Sequence, residues 1–186
     1  MSKNINPDSP AAKTKQVRLE RTYSASIDDE WELWTTREGI EAWWGPPGFS
    51  VTVRELDLRV GGTLIYVMTA VGEQQIEFMK RAGMPVSTES RITFKEIAAP
   101  RRLVYAHLTD FIPGVAPYDV DTVLELETVS SGTRLVLTLD PMHSEEWTQR
   151  AVMGWEMELG KLAQALEARA ESPAAGAAAL SGAVRT

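Results

Sequence analysis

EAWWGPPGF, at residues 41–49, sets two adjacent tryptophans against a Gly-Pro-Pro-Gly turn. Proline cannot continue a helix and glycine permits backbone angles that other residues resist, so a helix is predicted to end at this turn. Adjacent helical residues point roughly 100° apart, so Trp43 and Trp44 cannot fill the same space. Because Trp43 lies one turn from Ile40, we expect Trp43 to be the more buried ring. Trp44 is then expected to border a cavity mouth or an interface.

Alternating apolar and polar residues on both sides of this turn predict seven β-strands. Glycines and prolines separate the runs, and the short connections leave no room for parallel crossovers. The sheet is therefore predicted to be antiparallel. The predicted strands are at 17–25, 49–58, 63–70, 91–97, 102–111, 118–128 and 133–140.

The remaining periodic segments predict helices. Two short helices follow the first strand, the first capped by Ser26, and one long amphipathic helix spans 144–169. Its apolar arc contains Trp147, Trp155 and Leu159. The predicted fold is α+β, a helix-grip arrangement in which a seven-stranded curved antiparallel sheet wraps around the long C-terminal helix, with two short helices after the first strand.

Composition restricts the function classes. The chain has 186 residues, a formal charge of −7 and no cysteine, so disulfides and a cysteine nucleophile are excluded and nucleic acid is not an expected partner. We expect one domain at 17–169 between disordered tails at 1–16 and 170–186, the second rich in Ala and Gly. No apolar run is long enough to cross a membrane, and we expect a cytoplasmic location.

Motifs for known chemistry are missing from the sequence. Its two histidines lack a metal-binding spacing, and no serine lies in a nucleophile-elbow motif. Gly61 and Gly62 join two strands rather than opening a helix, so they indicate a hairpin and not a phosphate loop. We expect no catalytic residue, metal or cofactor.

Five segments taken in order resemble a known family. They read ASIDDEWELWTTREGIEAWWGPPGF, LDLRVGGTLIYVM, FKEIAAPRRLVYAH and SSGTRLVLTL, followed by the tryptophan-bearing last helix. Together they resemble the bacterial START-like (SRPBCC) superfamily, and within it the branch named after the activator of the heat-shock-protein-90 ATPase. The resemblance covers about 17–169 and implies a helix-grip fold with an apolar cavity between sheet and helix.

Two departures from the family alter the expected cavity. An insert at 71–90 replaces a short turn and carries Phe78 and Met79; we expect a short helix near 73–81 that lies over the cavity as a lid. His107 stands where the family commonly has a large aromatic residue, and it shares strand parity with Tyr105. It could orient a ligand or act as a general base.

Three functions follow from these observations. The first is binding of a small, mostly apolar ligand, with an aromatic molecule included. The second is a cyclase- or hydrolase-like enzyme using His107 as acid/base, and the third is a chaperone-type protein-binding module, for which the sequence itself offers no support. A homodimer stays open. The residues expected to contact the ligand are Trp44, Leu64, Tyr66, Met68, Phe78, Met79, Phe94, Tyr105, His107, Tyr118, Met142, Trp147 and Trp155.

Overall fold

The computed structural model describes residues 15–112 and 114–171. Seven strands and four helices follow one another along this part of the chain. They are β1 (Val17–Tyr23), α1 (Ile27–Thr35), α2 (Arg37–Trp43), β2 (Phe49–Leu56), β3 (Thr63–Ala70), α3 (Glu73–Arg81), β4 (Ser87–Ala98), β5 (Arg102–Thr109), β6 (Tyr118–Val129), β7 (Gly132–Leu139) and α4 (Glu145–Glu171).

All seven strands form one sheet in the order β1-β7-β6-β5-β4-β3-β2. Every neighbouring pair is antiparallel, as the short connections predicted. The first strand closes one edge by pairing Val17 with Leu139 on the last strand. The curved sheet packs against α4, and the helix pair α1–α2 contacts the same helix. The predicted α+β helix-grip fold is confirmed.

The helix pair α1–α2 is built by capping and by one close approach. The Ser26 side chain accepts a hydrogen bond from the Asp29 amide at 3.1 Å, and Thr36 accepts one from the Gly39 amide at 3.0 Å. A side chain at Gly39 would place its Cβ 2.4 Å from the Glu32 carbonyl oxygen. Glycine is therefore required where the two helices cross.

The two tryptophans at the turn occupy different places, as predicted. Trp43 is 0% exposed and donates its indole N–H to the Leu33 carbonyl at 2.9 Å. Trp44 is 5% exposed, and its ring lies 5.5 Å from Trp34 and 5.8 Å from Trp155. Gly45, with φ of 84°, supplies the left-handed backbone that turns the chain away from α2. Both rings are buried, but only Trp44 reaches the pocket described below.

The predicted helix in the insert is confirmed as α3 (Glu73–Arg81). Its start is tied to the Gly-Pro-Pro-Gly turn, because the Val71 and Gly72 amides donate to the Gly48 carbonyl at 2.8 and 2.9 Å. Met79 is buried, whereas Phe78 is 61% exposed. The helix α3 is thus held next to the residues where β2 begins and β3 ends.

The long helix α4 has two unlike halves. Its second half buries Leu159, Leu162 and Leu166 in the main core, which they share with Leu135 and Leu137 on β7. The buried residue of its first half is Thr148. No helix in the described ranges has the length and apolar character needed to span a bilayer.

Glu30 is an unusual member of the interior. It lies on α1 with 0% of its surface exposed, and neither carboxyl oxygen has a hydrogen-bond partner among the residues described. Burial disfavours the charged form and raises the pKa of this carboxyl to about 8. Glu30 is therefore protonated in the folded protein at neutral pH.

Several element bounds differ from the predicted ones. β1 ends at Tyr23, two residues before the predicted end, and α4 covers Glu145–Glu171 rather than 144–169. β4 begins at Ser87 instead of residue 91, because the polar residues that precede Arg91 pair with β3 despite lacking an apolar pattern. The predicted tails lie outside the described residues, except for 15–16 and 170–171.

Candidate functional site

A pocket of about 300 Å³ lies between the sheet and the first half of α4. Strands β1, β3, β5, β6 and β7 supply one wall, and the helix supplies the other. The wall residues are Val17, Trp44, Tyr66, Met68, Tyr105, His107, Thr109, Phe111, Val120, Thr122, Leu139, Asp140, Met142, Trp147, Thr148, Arg150, Ala151, Val152, Gly154, Trp155 and Glu158.

The structure brings most of the predicted ligand residues together in this pocket. Those that line it are Trp44, Tyr66, Met68, Tyr105, His107, Met142, Trp147 and Trp155. Strand alternation explains the sheet residues, since Tyr66 and Met68 share one face of β3 and Tyr105 and His107 share one face of β5. Phe111, which is 50% exposed, lies 6.0 Å from Trp147 at the outer end of the pocket.

Five predicted residues lie elsewhere. Leu64 and Phe94 are buried in the main core. Tyr118 instead meets His143 beside the pocket, with its hydroxyl 3.2 Å from the imidazole Nδ1. Phe78 and Met79 do not line the pocket, so the expectation that α3 covers it as a lid is wrong. The hydrogen bonds to the Gly48 carbonyl hold α3 outside the pocket, and Met79 is the buried residue of this helix.

His107 faces the pocket as a neutral group. Its Nε2 atom is buried and has no hydrogen-bond partner in the described part of the chain. Burial lowers the pKa of its imidazole to about 4, although the charges of Asp110 and Asp119 act in the opposite direction. Nε2 can therefore bond to a ligand, but a pKa of about 4 makes the imidazole a weak base at neutral pH.

A second polar group lies near Trp44. It consists of Tyr66, Tyr105 and Glu158, whose carboxyl acts electrostatically on both phenols. Burial raises the pKa of each tyrosine, and it raises the pKa of Glu158 to about 8. The Tyr105 hydroxyl is buried without a hydrogen-bond partner among the described residues. The nearby Thr122 side chain lowers the pKa of Tyr105, but burial outweighs this effect.

Lys161 joins this polar group to the Gly-Pro-Pro-Gly turn at residues 45–48. Its Nζ donates to the Gly45 carbonyl at 2.8 Å and to the Trp44 carbonyl at 3.3 Å. Its charge favours ionised Glu158, as does the Gly45 amide, but desolvation of the carboxyl outweighs both. The position of Trp44 in the pocket wall is therefore fixed by Lys161 on α4 as well as by the aromatic cluster.

Sequence reasoning missed Glu158. Its position carried a usable signal, because Glu158 follows Trp155 by three residues and precedes Leu162 by four, which places it on the apolar face of the helix. Glutamate is rarely buried unless it is paired, so a glutamate on the apolar face of a helix indicates a specific contact. The two pocket threonines on β5 and β6, Thr109 and Thr122, were also missed and had no distinguishing pattern.

The pocket has no features of a metal centre. Across residues 15–112 and 114–171, no group of three or more His, Asp or Glu side chains is placed to hold an ion. Its polar side chains carry phenols, an imidazole, hydroxyls, carboxyl groups and the Arg150 guanidinium, spread over an aromatic wall. Such a site can hold a molecule by apolar contact and fix its orientation with a few hydrogen bonds.

Solved structures share this fold. A crystal structure of a protein from Chromobacterium violaceum aligns with a TM-score of 0.67 at 24% identity, covering 82% of this chain and 96% of that one. A solution structure of the AHSA1-like protein from Aeromonas hydrophila aligns with a TM-score of 0.63 at 19% identity, covering 86% and 97%. A crystal structure of the AHSA1 protein from Silicibacter pomeroyi gives 0.61 at 20% identity, covering 85% and 100%.

Sequence comparison identifies the family. No curated protein shows significant sequence similarity to this chain. Residues 24–167 match the family described as Activator of Hsp90 ATPase homolog 1-like protein. The match spans α1, α2 and α3, all strands after β1 and most of α4, which confirms the START-like resemblance. The chain belongs to the Activator of Hsp90 ATPase homolog 1-like family.

Proposed function

We propose that this domain binds a small, mostly apolar molecule, with aromatic compounds as the best fit, in the pocket between the sheet and α4. The observation that carries the proposal is the pairing of an aromatic wall with buried polar atoms that lack partners, namely Tyr105 Oη and His107 Nε2. Such atoms are costly to leave unsatisfied, and a ligand that bonds to them removes the cost. We also propose a cytoplasmic location for the protein, as expected from the sequence.

The pocket volume sets the size of the ligand. A cavity of about 150 Å³ holds one benzene ring, so about 300 Å³ suits a molecule of roughly two rings. Trp44 and Trp155 would contact it as one continuous aromatic surface. Their rings lie 5.8 Å apart in a T-shaped arrangement, which offers both a face and an edge to an aromatic guest.

Gly154 supports the same reading of the pocket. It lines the pocket from the middle of α4, and a Cβ built there has no heavy atom within 4 Å. Glycine inside a helix costs about 1 kcal/mol relative to alanine. Gly154 lies inside the helix, and no atom fills the space beside it. The absence of a side chain there leaves room for a ligand.

Native mass spectrometry of freshly purified full-length protein tests the proposal, by looking for a co-purifying small molecule. Gly154→Leu should fill the pocket and abolish the bound mass. Gly160→Leu is the matched control, because Gly160 is on the same helix, exposed, and outside the pocket wall. Loss of the bound mass in both variants, or in neither, would contradict the proposal.

The enzyme alternative has less support. A general base needs a pKa near the working pH and a group that orients it. His107 has a pKa of about 4, well below neutral pH. We expect His107→Gln to keep ligand binding within about tenfold, the value of one hydrogen bond. A substitution that leaves binding intact but abolishes turnover of a bound compound would restore the enzyme hypothesis.

A second candidate function, protein binding, rests on a different observation. Four large apolar residues of the insert are exposed: Val71, Phe78, Met84 and Val86. An exposed apolar surface suits a protein partner, including a chaperone or a second copy of this chain. Sedimentation of the wild type against Phe78→Ser tests self-association, and a concentration-independent monomer in both would reject the homodimer.

A further inference from the structure

The proton-bearing groups near Trp44 specify the ligand more narrowly, if the pocket binds a ligand as proposed above. Tyr66 and Tyr105 reach the pocket from two strands, and Glu158 reaches it from the opposite wall on α4. All three retain their protons at neutral pH, because burial raises the pKa of each. Each is therefore able to donate a hydrogen bond into the same part of the pocket.

The surrounding charges disfavour an ionic ligand at this end. Lys161 is the cation that acts on Glu158, and its Nζ is already directed at the Trp44 and Gly45 carbonyls. An anion would therefore enter an apolar site without a free counter-charge, which is costly. A cation would have to ionise Glu158 first, against the desolvation that keeps it protonated.

We propose that the pocket selects a neutral molecule of about two rings that presents a hydrogen-bond acceptor, such as a carbonyl oxygen, to Tyr66, Tyr105 and Glu158. The donors lie on opposite walls of the pocket, two on the sheet and one on the helix, and the aromatic residues of the walls contact the rings. The Tyr105 hydroxyl then gains the partner that it lacks in the structure. These three donors recognise the acceptor of the ligand, and His107 lines the remainder of the pocket.

The donor set makes recognition sensitive to pH. Glu158 faces Tyr66, Tyr105 and Lys161, and the tyrosines keep their protons well above the range in which Glu158 titrates. As pH rises through about 8, Glu158 loses its proton and becomes an acceptor that repels the ligand oxygen. Acceptor recognition is therefore present below pH 8 and lost above it.

The other ionisable groups of the pocket do not reproduce this change. His107 is neutral throughout, since its pKa is about 4. Asp140 accepts a hydrogen bond from the Gln16 side chain at 2.8 Å, and the Arg150 guanidinium lies 4.9 Å from the Trp147 ring centroid. A loss of acceptor recognition near pH 8 thus identifies Glu158.

Equilibrium dialysis of the full chain with two matched compounds tests the proposal. The first is 2-acetylnaphthalene, and the second is 2-isopropenylnaphthalene, which has nearly the same shape but a CH₂ in place of the carbonyl oxygen. We expect the ketone to bind about tenfold more tightly at pH 6, the value of one hydrogen bond. The preference should disappear by about pH 9.5.

Variants assign the effect to its source. Glu158→Gln retains an N–H donor that does not titrate, so the preference for the ketone should become independent of pH. Glu167→Gln, at an exposed position of the same helix, should keep the wild-type pH profile. Should Glu158→Gln fail to fold, Tyr105→Phe removes one donor with little change in shape and should reduce the preference at pH 6.

The outcomes separate this inference from the function on which it rests. Equal binding of the two naphthalenes at every pH would overturn the inference and leave apolar ligand binding intact. Tighter binding of (2-naphthylmethyl)trimethylammonium than of the ketone, increasing above pH 8, would overturn it in favour of a cation site. Absence of binding by all three compounds, together with no co-purifying mass, would reject both.

Discussion

Replacing Glu30 by Gln should change how the stability of the protein depends on pH. The carboxyl is fully buried, both its oxygens lack partners among the described residues, and its pKa rises from an ordinary 4.5 to about 8. In the unfolded chain the proton is lost near pH 4.5, whereas the folded protein keeps it until about pH 8. The stability that the neutral carboxyl allows is therefore complete below pH 4.5 and is lost as pH rises to 8.

The size of the effect follows from the two pKa values. Each unit of difference corresponds to about 1.36 kcal/mol, so the rise from 4.5 to about 8 sets an upper limit of about 5 kcal/mol between pH 4 and pH 9. Glutamine has nearly the same shape and does not titrate. The Glu30→Gln variant should match the wild type near pH 4 and exceed it by up to that limit at pH 9.

Urea denaturation at pH 4.5, 6, 7.5 and 9 measures the difference directly. Other titrating groups are common to both proteins, so subtracting the two free energies of unfolding isolates Glu30. Glu38→Gln, at an exposed position in the first turn of α2, is the control and should show no comparable change. A difference between Glu30→Gln and wild type that stays constant with pH, or that favours the wild type at pH 9, would refute the reasoning.

Four further substitutions test the packing of the helices and of the turn by urea denaturation. Gly39→Ala forces a Cβ into backbone at the helix crossing and should destabilise the fold by roughly 1–3 kcal/mol, whereas Gly160→Ala, in open space on α4, should stabilise it by about 1 kcal/mol; the same sign for both would contradict the packing account. Trp43→Phe leaves the Leu33 carbonyl unpaired and should cost about 1–3 kcal/mol; an unchanged midpoint would rule out a role for that bond. Lys161→Met removes two bonds to the turn and should cost roughly 1–2 kcal/mol while shifting tryptophan emission; unaltered emission would show that the turn is held without it.

Periodic apolar residues made most of the fold predictable. Strand alternation has only two faces to choose between, and α4 has one apolar arc, so both were recognisable without tertiary information. The more complete burial of Trp43 followed from its spacing to Ile40, and both residues are 0% exposed. Six of the pocket residues followed in the same way from strand parity and from the arc of α4, namely Tyr66, Met68, Tyr105, His107, Trp147 and Trp155.

What could not be predicted depends on contacts between distant segments. The position of α3 is set by amides that bond to Gly48, and a hydrogen bond between backbone groups leaves no trace in side-chain pattern. The burial of Glu30 and Glu158 opposes the usual tendency of carboxylates to stay in water. Their raised pKa values arise from desolvation, which requires knowing what covers them.

The unequal halves of α4 imply how a molecule reaches the pocket. The second half is fastened by Leu159, Leu162 and Leu166, whereas the first half rests on the pocket and contains Gly154. Segments with few buried contacts open at a lower free-energy cost than the whole domain. We therefore expect amide hydrogens of 145–158 to exchange with solvent faster than those of 159–167, through an opening that doubles as the entry route. A bound molecule would slow exchange in the first half and leave the second unchanged.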